Sequence, residues 1–126
     1  MKIQESKEMY LETILVLMRR GMQVRSIDIA NEMKFSKPSV SRAVGILKSE
    51  QLILIDSHGI ITLTKEGRKL AEKILERHYI LKVLLMHMNI AENIADDDAC
   101  RIEHVISDET FEAMKLFVNK EVLVNN

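Results

Sequence analysis

The stretch Asp96-Asp97-Asp98-Ala99-Cys100-Arg101-Ile102-Glu103-His104-Val105 brings three metal-ligand types close together. In a helix, Cys100, Glu103 and His104 stand at i, i+3 and i+4, so a thiolate, a carboxylate and an imidazole share one face of adjacent turns. Three donors do not fill a typical transition-metal coordination sphere, and a fourth has to come from elsewhere in the fold. The plainer alternative is a core cysteine with a surface glutamate and histidine beside it by chance.

Such a site needs elements to hold it, and the apolar periodicity supplies mainly helices. Residues 4–20 read as a first helix, with Tyr10, Ile14, Leu17 and Met18 in one stripe and Gly21 as its stop. Met9 and Glu12 lie on neighbouring turns of this helix, and Met9 taken alone reads as a core methionine. A second short helix is expected from Ser26, as N-cap, to Met33, with Ile27, Ala30 and Met33 apolar. In the run from Phe35 to Leu47, Ser36 suits an N-cap and Pro38 a first turn. A third helix therefore starts here, exposing Lys37, Ser39, Ser41 and Arg42 and turning Val40, Val44 and Leu47 inward.

Two helices joined by a short turn, the second opening with small polar and basic residues, describe a helix-turn-helix. Serine hydroxyls and free N–H groups at that helix start suit phosphate oxygens, and Arg42 is long enough to reach a base edge. Serine-capped helical hairpins also occur in proteins that never touch DNA, so the next segment matters. Leu52-Ile53-Leu54-Ile55 and Ile60-Ile61-Thr62-Leu63 are β-prone runs separated by Asp56-Ser57-His58-Gly59, a turn cluster, which predicts a hairpin. A recognition-type helix followed by a hairpin is a winged helix, whose wing would lie over the phosphate backbone with His58 near its tip. His58 by itself reads as a solvated turn residue.

Thr64 caps a long helix over residues 65–88, carrying Leu70, Ile74, Leu75, Leu81 and Leu85, with His78 inside it. The acidic helix around Cys100 follows. Ser107 then caps a last helix whose apolar residues are Phe111, Met114, Phe117 and Val118. The tail from Lys120 to Asn126 is too short for a further domain. The expected architecture is mainly α: a winged helix-turn-helix (three helices plus a two-stranded β-hairpin) over residues 1–63, then a helical dimerisation domain over residues 64–126.

Composition fits packed helices. Of 126 residues 47% are hydrophobic but only 4% aromatic, with no Trp and 8 Met, so the core must be aliphatic and thioether. A short chain leaves apolar helix faces uncovered, which favours a homodimer. The single cysteine excludes an intramolecular disulfide, and no apolar run approaches the ~20 residues of a membrane span, so a soluble cytoplasmic protein is expected. The net charge of −1 hides a polarity: residues 91–126 hold 3 Lys/Arg against 9 Asp/Glu, and the remainder is net basic. A basic front suits a polyanion and an acidic back suits cations, although an ordinary scatter of surface charge gives the same count.

Four segments together resemble the diphtheria toxin repressor family of iron- and manganese-dependent transcriptional repressors. They are Glu8-Met9-Tyr10-Leu11-Glu12-Thr13-Ile14, the Ser36-Lys37-Pro38-Ser39-Val40-Ser41 start of the third helix, the hairpin with Leu63-Thr64 and Gly67, and Asp98-Ala99-Cys100-Arg101-Ile102-Glu103-His104-Val105-Ile106-Ser107-Asp108-Glu109. The resemblance implies an N-terminal winged helix and a helical metal-binding and dimerisation domain, in the two-domain form without the SH3-like domain that many members add. It implies a primary metal site of Met9, Cys100, Glu103 and His104, the set of the iron-type repressors; the manganese regulators place carboxylates where Met9 and Cys100 stand. Sulfur donors favour iron(II), cobalt, nickel or zinc over manganese. For a second site the resemblance offers Glu12, His78 and Asp96, with Lys82 standing where the iron type has a glutamate.

The resulting expectation is a homodimer that binds a pseudo-palindromic double-stranded DNA operator when a divalent metal, iron(II) first, joins the first helix to the second domain. A metal-independent winged-helix regulator is the rival within the same class. A metallohydrolase with Glu103 as base is the rival from another class. It is disfavoured by a sulfur-rich donor set and by the lack of any substrate-pocket signal.

Overall fold

The computed structural model describes residues 3–123; the last positions of the expected tail, 124–126, lie outside the described residues. The chain divides by its contacts into two compact units, one reaching to Glu72 and one starting at Lys73.

The first unit opens with α1 (Ile3–Arg19), followed by α2 (Ser26–Met33) and α3 (Lys37–Ser49). Helix α1 ends where Gly21 takes φ +84°, with Gly21 N–H donating to Met18 O and Met22 N–H to Leu17 O, a Schellman closure that glycine enters without strain. Tyr10, Leu11, Ile14, Leu15 and Leu17 of α1 are buried with Ile29 of α2 and Val40, Val44 and Leu47 of α3. The Tyr10 ring meets Phe35 edge-on at 6.0 Å. Two local details differ from the sequence reading. The N-cap of α2 is Arg25, whose backbone N–H is held by Asp28 Oδ2 at 2.9 Å, and Ser26 is the first helical residue. The core-facing side of α2 is Ile29 with Ala30, while Ile27 is exposed.

Strands β1 (Ile53–Ile55) and β2 (Ile61–Leu63) pair antiparallel, with Leu54 opposite Thr62. Alternation puts Ile53 and Ile61 into the core and leaves Leu54 outside. Asp56 closes the hairpin, its Oδ1 accepting from the N–H groups of His58 (2.8 Å) and Ile60 (2.9 Å), and Gly59 supplies φ +79°. The three helices and the hairpin are the expected winged helix-turn-helix.

Helix α4 (Lys65–His87) starts in the first unit and runs into the second. Thr64 caps it, accepting from Gly67 N–H at 3.1 Å, as the sequence indicated. Asn89, at φ +67°, ends this stretch. The second unit continues with α5 (Glu92–Ile102) and α6 (Asp108–Phe117), which passes into a π-helical segment, Val118–Leu123. Its apolar core joins Ile80 of α4 to Phe111 and Val118, with Val83, Leu84, Ile106 and Met114 packed around them.

Candidate metal centre and nucleic-acid interface

The ligand stretch is not one helix. Cys100 stands half-buried in the last turn of α5, and Glu103 is the C-cap, still right-handed (φ −57°, ψ −25°), with its N–H on Ala99 O. Val105 and Ile106 N–H both turn back onto Ile102 O, which tightens the chain out of the helical path, so His104 lies in the turn between α5 and α6. Ser107 then caps α6, accepting from Thr110 N–H at 3.0 Å.

Glu103 is fully buried. Its Oε2 is 2.9 Å from His78 Nδ1, and its Oε1 lies 3.3 Å from His104 Nε2 without a hydrogen-bond partner among the described residues. A buried carboxylate oxygen without a hydrogen bond is costly, and a cation is one kind of partner that would satisfy it. His104 follows on the next residue and Cys100 stands one turn earlier; imidazole and thiol are donor types that suit a divalent transition metal, but among the described residues Cys100 Sγ does not join the donor atoms gathered within 4.8 Å around Glu103 and His104. Met9 and Glu12 are half-buried on α1 in the first unit, where Thr13 Oγ1 donates to Met9 O at 2.8 Å.

His78 also faces Asp96, with Nε2 2.8 Å from Oδ1. Asp96 in turn lies 3.5 Å from Lys82 Nζ, and Glu92 lies 3.4 Å from the same nitrogen. The hydrogen bond from His78, opposed by partial burial and reinforced by the charges of His78 and Lys82, holds the Asp96 carboxyl below the usual carboxylate range. Desolvation pulls the Lys82 ammonium down, but Asp96 and Glu92 outweigh it and raise it above the ordinary lysine value. His78 and Asp96, two members of the expected second set, are thus brought together, with a cation beside them. An open groove of about 450 Å³ adjoins them, lined by Lys82, Glu92, Asn93 and Asp96.

Arg77 was not singled out by the sequence, yet it is the buried cation of this unit, only 6% exposed. Its Nη1 donates to Glu103 O (3.1 Å) and Ile106 O (2.9 Å), Nη2 pairs with Asp108, and the guanidinium lies 5.3 Å from the Phe111 ring centre. One signal was available: Arg77 interrupts the buried stripe Ile74, Ile80, Leu81 of α4, where an unpaired charge is not tolerated.

In the first unit, Ser36 is the N-cap of α3, accepting from Ser39 N–H at 3.3 Å, with Lys37 and Pro38 opening the helix. Ser36, Lys37, Pro38, Ser41 and Arg42 are exposed, Ser39 is half-buried, and His58 is exposed at the hairpin turn. A cleft of about 270 Å³ lined by Ser26, Ile27, Lys37 and Ser41 runs beside the start of α3.

Comparison with known proteins decides the class. Residues 2–58 match the N-terminal DNA-binding domain of iron dependent repressors, and residues 64–121 match their metal-binding and dimerisation domain. The chain is 37% identical over 112 residues to the transcriptional regulator MntR of Escherichia coli O6:H1, covering 88% of this chain and 72% of that protein. The chain belongs to the iron-dependent repressor family. To the diphtheria toxin repressor of Corynebacterium diphtheriae this family member is 34% identical over 106 residues, covering 83% of this chain and 47% of the repressor. Among solved structures, the manganese regulator SloR superposes with a TM-score of 0.80 at 35% identity, over 90% of this chain and 53% of SloR. The chain thus spans about half the length of these two relatives. Both matched domains are repressor domains rather than enzyme domains, and DNA and a second subunit are the partners they are built for. No helix among the described residues is long and apolar enough to cross a membrane.

Proposed function

We propose that this family member is a cytoplasmic repressor that takes iron(II) through Met9, Cys100, Glu103 and His104 and then binds a pseudo-palindromic operator as a homodimer. The observation that carries the reading is Glu103: a fully buried carboxylate, one oxygen of which has no hydrogen-bond partner among the described residues and lies 3.3 Å from His104 Nε2, one turn from the only cysteine of the sequence. Met9 is the proposed fourth donor on the strength of the family resemblance and of its chemistry. Two sulfur donors favour iron(II) over manganese, with cobalt, nickel and zinc as other ions the set accepts. When bound, the ion supplies positive charge and coordination bonds that tie its donors together.

The protein groups do the rest. His78 holds Glu103 Oε2 so that Oε1 is left for the ion. Joining α1 to the ligand turn restricts the first unit, and with it the Ser36–Arg42 face and His58, relative to the dimer core. Two recognition helices held one helical turn of DNA apart then bind with less entropy lost. Glu12, His78 and Asp96 remain the proposed donors for a second ion, which has to compete with the Lys82 ammonium already paired with Asp96.

Operator affinity measured anaerobically at fixed salt tests this. Iron(II) is expected to tighten binding at least tenfold over the same protein with chelator, and Cys100→Ala and His104→Ala to abolish that response while folding normally. Equal affinity with iron(II) and with chelator would point instead to a metal-independent winged-helix regulator.

A further inference from the structure

Two consecutive residues of α4 grip Glu103 at opposite ends. His78 engages the side chain at Oε2, and Arg77 engages the main chain at the carbonyl oxygen. The second carbonyl that Arg77 takes is that of Ile106, so its two acceptors bracket His104 and Val105. The other terminal nitrogen, Nη2, pairs with Asp108 in the first turn of α6, and the guanidinium carbon lies over the Phe111 ring, 5.3 Å from its centre. This arrangement needs the planar fork of arginine, which alone among cationic side chains can serve several acceptors at fixed angles. Burying a guanidinium is costly unless its protons are used, and the Arg77 Nε has no hydrogen-bond partner among the described residues. A purely apolar residue would fill this place against Phe111 at lower cost. Spending a buried cation on two carbonyl oxygens of one turn is understandable if the turn itself must be held.

We propose that Arg77 is a positioning residue for the metal centre: by clamping the carbonyls of Glu103 and Ile106 it presets the turn that presents Glu103 and His104 before any ion arrives. The inference rests on the metal-binding reading above and adds to it a residue that touches no ligand atom. Without the clamp, the turn samples several conformations in the metal-free protein, and the ion has to pay to order it. Removing a group that orients metal ligands typically weakens metal binding about 10- to 100-fold.

Cobalt(II) titration under anaerobic conditions, read by the d–d bands and the sulfur-to-cobalt charge-transfer band, tests this in wild type, Arg77→Lys, Arg77→Met and Cys100→Ala. Far-UV circular dichroism and amide exchange of the metal-free proteins accompany it. Arg77→Lys and Arg77→Met are expected to bind cobalt about tenfold or more weakly, to keep the sulfur band at saturation, and to show faster exchange at Val105 and Ile106. Wild-type affinity in both variants would overturn the proposal. Should Arg77→Met fail to fold, Arg77→Lys decides alone; an unfolded Arg77→Lys makes Arg77 a general structural residue and likewise overturns it. Failure of the underlying reading looks different: wild type then takes up no cobalt, or Cys100→Ala titrates like wild type with the same spectrum, and the proposal falls with it.

Discussion

Asp108 is exposed at the start of α6, yet two cations converge on it, Lys73 at 3.1 Å and Arg77. The hydrogen bond and charge of Lys73, with a smaller part from Arg77 and against some desolvation, keep its carboxyl below the usual carboxylate range. A group whose folded pKa is depressed adds stability above its unfolded value of about 3.9, and that stability is lost as pH falls through the folded value. Asp108→Asn should therefore flatten the acid limb: the fall in urea midpoint between pH 5 and pH 3 is expected to be smaller than in wild type, and an equal fall would show that Asp108 is not linked to folding. The same residue marks the limit of what sequence spacing reveals. Cys100, Glu103 and His104 were legible because they are neighbours in the chain. The contacts of Glu103 with His78 and Arg77 cross 25 and 26 residues, and no local pattern encodes which α4 residue faces which turn.

At the level of elements, capping chemistry was read correctly at Ser36, Thr64 and Ser107, each a hydroxyl that accepts from the N–H three residues on. It failed at α2, where Asp28 closes the helix start onto Arg25 and moves the N-cap back one residue from Ser26. Ile27 and Ile29 lie about 200° apart around the helix, so only one of them can point inward, and the core takes Ile29 with Ala30 beside it. The join between the hairpin and α4 is tighter than any pattern suggested. A Cβ on Gly67 would stand 1.9 Å from the carbonyl oxygen of Leu52, which is itself held by Thr64 N–H at 3.1 Å. The clash is with backbone and cannot be relieved by a side-chain rotation. Gly67→Ala is expected to destabilise the first unit by about 1–3 kcal/mol, seen as a lower urea midpoint with the slope unchanged, and wild-type stability would mean that the first turn of α4 gives way at no cost.

For the whole molecule, charge and linkage make separable demands. Residues 1–72 carry 12 Lys/Arg against 9 Asp/Glu, and residues 73–126 carry 6 against 10, so the DNA-binding unit is basic and the unit holding Cys100, Glu103 and His104 is acidic. A divalent ion taken by the acidic unit reduces its repulsion of DNA phosphates whether or not any conformation changes. The proposed bridge through Met9 adds a second source of coupling, one that fixes the first unit mechanically. Either way the coupling is reciprocal, so operator DNA must tighten iron(II) binding by the same factor by which iron(II) tightens operator binding. The two sources part company in salt. Bare charge neutralisation acts over distances screened by a Debye length of about 10 Å at 0.1 M, and it fades as salt rises. A coordination bond between the units does not. We expect the coupling factor, measured from both directions at 0.1 and 0.3 M salt, to agree between directions and to change less than about threefold while operator affinity itself falls steeply. A factor that collapses towards one at the higher salt would leave the metal as a charge switch alone and remove Met9 from the mechanism.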